Sequence, residues 1–207
     1  MTTSTSTVLT VGHSTHLIDT FITLLQQQGV TAIADVRSVP YSRFNPQFNR
    51  KELEQSLKPY GIRYVFLGRE LGARSDDPSC YEKGRIQYAR MARTDVFQSG
   101  IQRVICGASD YRIALMCAEK EPLECHRTLL VARALIDLGV PVAHILADGR
   151  LEAHEITMER LLDIVGLPQQ DLFLSKDELI AHALAKQEER IAYVNKKLAD
   201  TSTGETP

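Results

Sequence analysis

Cys125, His126 and Arg127 stand side by side, and seven residues separate them from Cys117 in the run Cys117-Ala-Glu-Lys-Glu-Pro-Leu-Glu-Cys125-His126-Arg127. A thiol, an imidazole and a guanidinium supply a nucleophile, a proton carrier and a holder of anions. Tyr111 to Met116 reads as an apolar strand and Thr128 to Leu138 as an amphipathic helix, so the run falls between a strand's carboxyl end and a helix's amino end. Ligands of open α/β sheets bind at that edge, and free N–H groups there favour an anion and lower a thiol pKa. Cys125 is the candidate nucleophile, with Cys117, Glu119, His126 and Arg127 around the ligand. A Cys117–Cys125 disulfide and two free thiols both fit the sequence.

His13, where the first strand meets the first helix, is a candidate acid or base. Arg37, just past the second strand, and Arg43, in the loop after it, are candidates for holding an anion, because arginine stays charged and presents a planar fork of donors. The plainer reading of Arg37 and Arg127 is an ion pair at the sheet edge with Asp35, Glu119 or Glu124. Two cysteines with seven residues between them and an adjacent histidine match no zinc finger or ribbon. No cofactor is therefore expected, with zinc the alternative that these residue types leave open. Cys106 reads as a small core residue and Cys80 as an exposed thiol in a polar loop.

The elements that must position these residues alternate. Strands are expected at Val8 to Gly12, Val30 to Val36, Ile62 to Leu67, Tyr111 to Met116 and Val140 to Leu146. Helices between them carry apolar residues at helical spacing, as in Leu17, Phe21, Leu24 and Leu25. Asn49 with Glu52 resembles a capping arrangement, Gly68 to Arg85 reads as a long loop, and helix covers Ile86 to Gly107 with a break near Asp95 or Gly100. This order implies a three-layer α/β/α fold with a mainly parallel central sheet of about five strands. Parallel strands would place His13, Arg37, Cys117 and the Cys125 helix along one rim, with Gly68 joining them if its strand is also parallel.

The division expected is an α/β domain over 1–167, a helical extension over 168–199 and a disordered tail over 200–207, with a short disordered lead at the other end. Ser175 and Glu178 form a capping box, and one helix is expected from there to about Leu198, with Leu179, Ala183, Lys186, Arg190 and Tyr193 near one stripe. That helix packs on the domain or on a second copy as a homodimer.

The 207 residues are 43% hydrophobic and 24% charged, and no apolar run approaches the roughly 20 residues of a membrane span. No membrane partner and a cytoplasmic location are the expectations. The net charge of −2 hides an asymmetry: residues 35–127 carry 16 Lys and Arg against 12 Asp and Glu, whereas residues 145–207 carry 7 against 12. A basic middle suits an anionic ligand. Tyr41 to Lys51 interleaves aromatic and basic residues as nucleic-acid binding requires, but a pI of about 6.3 lacks the basic footprint of an autonomous binder.

Gly12-His13-Ser14, Asp35-Val36-Arg37 with Pro40 and Ser42, Phe48-Asn49, Gly61-Ile62-Tyr64, Leu71-Gly72, Met116-Cys117-Ala118-Glu119-Lys120 and Cys125-His126-Arg127, in this order, resemble the domain of unknown function 488 family. Asp171-Leu172-Phe173 and Gln187 to Tyr193 resemble its C-terminal part. The resemblance implies an α/β fold, a bacterial or archaeal cytoplasmic origin and a site built from these motifs. It implies no substrate. Ala73 departs from the pattern where a second glycine is expected. The reading that follows is an α/β enzyme for a phosphate-bearing small molecule, a nucleotide or nucleic-acid component. Its rivals are a non-catalytic nucleic-acid module and a redox-responsive thiol protein.

Overall fold

β1, Val8–Gly12, is buried at every position because it lies inside a sheet covered on both faces. The computed structural model describes residues 6–200, so most of the expected lead and tail lies outside the described residues. The further strands are β2 (Ala32–Asp35), β3 (Arg63–Phe66), β4 (Tyr81–Glu82), β5 (Arg85–Ile86), β6 (Ile113–Cys117), β7 (Val142–Ile145) and β8 (Leu151–Ala153). The helices are α1 (Ile18–Gln27), α2 (Arg50–Leu57), α3 (Gly68–Leu71), α4 (Tyr88–Met91), α5 (Asp95–Gly107), α6 (Arg133–Asp137), α7 (His154–Val165), α8 (Lys176–Ile191) and α9 (Lys196–Asp200).

The main sheet has six strands in the order β3-β2-β6-β1-β7-β8. Five are parallel, and β8 turns back antiparallel on β7. Residue alternation builds two core layers. Leu9, Val11, Ile33, Ala114 and Met116 face α1 and α2, whose Phe21, Leu25, Leu53 and Leu57 cover them. Val8, Ala34, Ile113, Leu115 and Cys117 face the opposite layer, with Ile101 and Val104 of α5, Leu135 of α6, Leu161 of α7 and Leu179 of α8. The fold is the expected three-layer α/β/α.

The helix after β1 packs on one face and the helix after β6 on the other, although β1 and β6 are neighbours. Their loops diverge from that seam, and such a switch point is where α/β sheets place ligands. Because β3 is parallel to β2, Gly68 also reaches the carboxyl-end rim.

Three local expectations are corrected. The long loop from Gly68 contains α3, a 3-10 turn at Pro78–Cys80 and the β4–β5 hairpin. Asn49 does not cap α2; its Oδ1 accepts the Ser42 N–H at 2.7 Å instead and ties down the preceding loop. The last helix stops at Ile191, because Ala192 turns extended and Val194 bridges to Arg85. The Ser175–Glu178 capping box is present. The buried stripe of α8 is Leu179, Ala183, Leu184 and Gln187, while Lys186 is exposed.

Candidate functional site at the strand carboxyl ends

The seam divides the residues singled out above into two groups. On the α1–α2 side, Arg37 grips Asp35 with Nε to Oδ1 at 2.9 Å and Nη2 to Oδ2 at 2.6 Å, and donates to the Phe48 carbonyl at 2.8 Å. Tyr64 donates its hydroxyl to the same carboxylate at 2.7 Å. Arg37 Nη1 donates to His13 Nε2 at 3.1 Å, which leaves the His13 proton on Nδ1, donated to the Ser14 carbonyl at 2.8 Å. The ring stacks on Phe48 at 4.3 Å. Burial, aided by the Arg37 charge, lowers the His13 pKa to about 4. His13 is thus a neutral ring with both nitrogens engaged in hydrogen bonds within the chain. Arg37 is committed in the same way, to the Asp35 pair weighed as its plainer reading.

On the opposite side, the chain leaves β6 at Cys117, turns through Pro122–Glu124 and enters a helix at Arg127. Glu121 accepts the Leu123 N–H, and buried Gln187 of α8 donates to the Leu123 carbonyl at 2.8 Å, so the turn is held from both ends. The helix opens as a π-helical segment, Arg127–Ala132, buried at all six positions, before it tightens into α6.

This turn brings Cys117, Glu119, Cys125 and His126 together, with one ligand atom from each within 4.8 Å of the others. His126 Nδ1 lies 3.7 Å from Cys117 Sγ and 3.8 Å from Cys125 Sγ. Its Nε2 lies 3.0 Å from the Val36 carbonyl, an acceptor, so Nε2 carries the proton and Nδ1 faces the sulfurs. Glu119 Oε2 lies 2.9 Å from Cys125 Sγ; the residue is exposed, but its carboxylate turns inward. Both cysteines are buried and free. Arg127 is wholly buried and without a carboxylate partner among the described residues. It donates to the Glu119 carbonyl at 2.7 Å and the Lys120 carbonyl at 3.3 Å, and its Nε has no partner.

These neighbours set the charges. Burial opposes a thiolate at Cys125, but the Cys117 hydrogen bond and the Arg127 and His126 charges overcome it and hold the pKa well below the usual thiol range. Burial and the Cys125 charge push Cys117 the other way. Burial and the same charge raise Glu119. Desolvation works against the His126 cation, and the Cys125 charge outweighs it.

Gly12 permits the arrangement. A Cβ there would stand 1.9 Å from the Glu119 carbonyl oxygen and 3.3 Å from Arg127 Nη1. Arg43 stays exposed, outside both groups. Two cysteine expectations are reversed: Cys80 is buried in the core at the base of the β4–β5 hairpin, and Cys106 is exposed on α5. His144 of β7 and His154 meet at 3.1 Å in a buried chain that ends on Thr10. Thr10, paired with His144, lies two positions before the end of β1, and His154 opens α7.

A cavity of about 800 Å³ opens at the ends of β2 and β3, with none of the sulfur-group residues in its lining. Ser38, Arg69, Arg74, Asp76 and Thr94 line it.

An α/β protein with a buried sulfur, imidazole and carboxylate group at the sheet's switch point is the class these features define. Residues 17–134, more than half of the chain, match the family model described as Domain of unknown function DUF488, and the chain belongs to that family. The match takes in Arg37, Cys117, Glu119 and Cys125 to Arg127; His13 lies just before it. No curated protein and no solved structure matches the chain.

Proposed function

We propose that the protein is an enzyme acting on a phosphate-bearing small molecule, a nucleotide or nucleic-acid component, with the reacting end at Cys117, Glu119, Cys125 and His126. The observation that supports this reading is the cavity at the ends of β2 and β3. Its volume, about 800 Å³, falls in the range that holds small ligands. It begins at Ser38, two residues past the Val36 carbonyl that holds His126. Arg37 and Arg127 are spent on contacts within the chain, so the anion falls to Arg69 and Arg74 on the cavity wall. Glu70 on that wall is already paired with Arg103. Asp76 offers acceptors for sugar hydroxyls.

Calorimetric binding of ADP, a sugar phosphate and their dephosphorylated counterparts tests the reading. The phosphate-bearing compounds bind, inorganic phosphate competes, and Arg69→Ala weakens binding by roughly 10- to 100-fold. Equal affinity for adenosine and ADP would remove the phosphate from the reading.

A second reading, nucleic-acid binding through residues 41–51, rests on the exposure of Tyr41 and Phe44 on either side of Arg43. Single-stranded oligonucleotide affinity that falls steeply with salt and is lost in Phe44→Ala favours it over a small-molecule pocket.

A further inference from the structure

We propose that Cys117, Glu119, Cys125 and His126 bind one zinc ion, with the three buried residues as permanent ligands and Glu119 as the exchangeable fourth. The inference goes beyond the phosphate reading and does not depend on it. Two thiolates and an imidazole are the ligands zinc prefers among soft divalent metals. A tetrahedral zinc about 2.3 Å from sulfur and about 2.05 Å from nitrogen sets a sulfur to nitrogen edge of about 3.6 Å. The two edges here are 3.7 and 3.8 Å. The 2.9 Å contact between Cys125 and Glu119 is shorter than such an edge, as a hydrogen bond that the metal replaces should be.

Two independent features point the same way. The first is the His126 ring, whose Nε2–H is fixed on the Val36 carbonyl, so that the lone pair of Nδ1 is aimed between the sulfurs. Metal-binding histidines are oriented by such an outer hydrogen bond. The second is Arg127, a wholly buried cation without a carboxylate partner among the described residues. A buried charge requires compensation. Zinc with two thiolates, one carboxylate and a neutral imidazole carries a net charge of minus one, which cancels Arg127. Loading releases to the buffer the Cys117 thiol proton and any proton still held by Cys125, Glu119 or His126 Nδ1, and breaks no covalent bond between heavy atoms.

The spacing argument against zinc fails for a structural reason. Finger and ribbon spacings describe ligands on one hairpin or knuckle, whereas these come from a strand end and a helix start, folded together by the Pro122–Glu124 turn. Three buried ligands and one at the solvent edge is the arrangement of a zinc that exchanges its fourth partner.

The test uses the full chain. Protein purified without chelator is analysed for metal, then stripped and titrated with cobalt while visible absorption is recorded. The expected result is about one zinc per chain and, on titration, one cobalt with the intense bands of a tetrahedral thiolate site, displaced by zinc. Cys125→Ser lowers cobalt affinity by more than about 100-fold, and Glu119→Gln, at an exposed residue, by about tenfold with the tetrahedral bands kept. A stripped chain with native circular dichroism that binds neither metal overturns the proposal, as does binding that Cys125→Ser leaves intact. Should Cys125→Ser not fold, a Glu119→Gln cobalt spectrum and affinity identical to those of the natural chain overturn it. ADP binding measured on the stripped chain reports on the phosphate reading separately.

Discussion

Arg37 and Asp35, two residues apart, form a bidentate ion pair that is almost wholly buried, with side-chain exposures of 6% and 0%. Removing one partner of such a pair leaves the other as an uncompensated interior charge. Asp35→Asn is therefore expected to destabilise the fold by about 3 to 5 kcal/mol in urea unfolding. Tyr64→Phe, which removes one hydrogen bond to the same carboxylate, costs about 1 kcal/mol. Equal losses for the two variants would show that the pair does not carry the network.

Gly12→Ala drives a methyl group into the Glu119 carbonyl, which no side-chain rotation relieves. We expect a loss of about 1 to 3 kcal/mol from the forced backbone shift. Gly139→Ala is the control: its Cβ meets nothing, so its cost arises only from a φ of +76°. Metal or ligand affinity measured at the rim falls for Gly12→Ala and not for Gly139→Ala.

Acid should weaken the fold through its buried histidines. His13, His144 and His154 all have lowered pKa values, chiefly from burial. The unfolded chain, with histidines near 6.5, binds protons first as pH falls, so stability rises with pH between about 4 and 6.5 for His13. Each such group costs up to about 1.4 kcal/mol per pH unit in its window. His126, which is raised, runs against this trend. Denaturant midpoints should drop from pH 7 to pH 5, and His144→Gln should flatten the profile. A profile unchanged by that substitution would exclude the His144–His154 pair as a cause.

Native thiol labelling should separate the four cysteines. Cys106 is exposed and reacts first, whereas Cys80, Cys117 and Cys125 are buried and react only on opening or unfolding. Peptide mapping after brief alkylation checks this order. Fast labelling at Cys80 would contradict its burial in the core.

Much of this was legible because hydrophobic period and turn residues are local signals. Val8 to Gly12, the α1 stripe and the Ser175–Glu178 box read directly. The rim was also legible, since parallel strands must end together. What the sequence hid was partnership. Cys80 sits in a polar run, yet its neighbours in space are core residues brought by the hairpin and α4. Cys106 lies in an apolar stretch but on the outward side of α5. The commitment of His13 and Arg37 to each other depends on two strands being separated only by β6, which no periodicity announces. Glu119 and His126 were named, but their shared centre with both sulfurs needed the turn at Pro122.

The widened helical turn at Arg127–Ala132 has a mechanical effect. In an ordinary α-helix each residue advances the azimuth by about 100°, so the directions of the first and last turns are locked to one another. An extra residue per turn slips that phase. It changes the direction of buried Leu135 relative to Arg127, whose guanidinium reaches the Gly12 end of β1, from the one that a regular spiral of the same length would set.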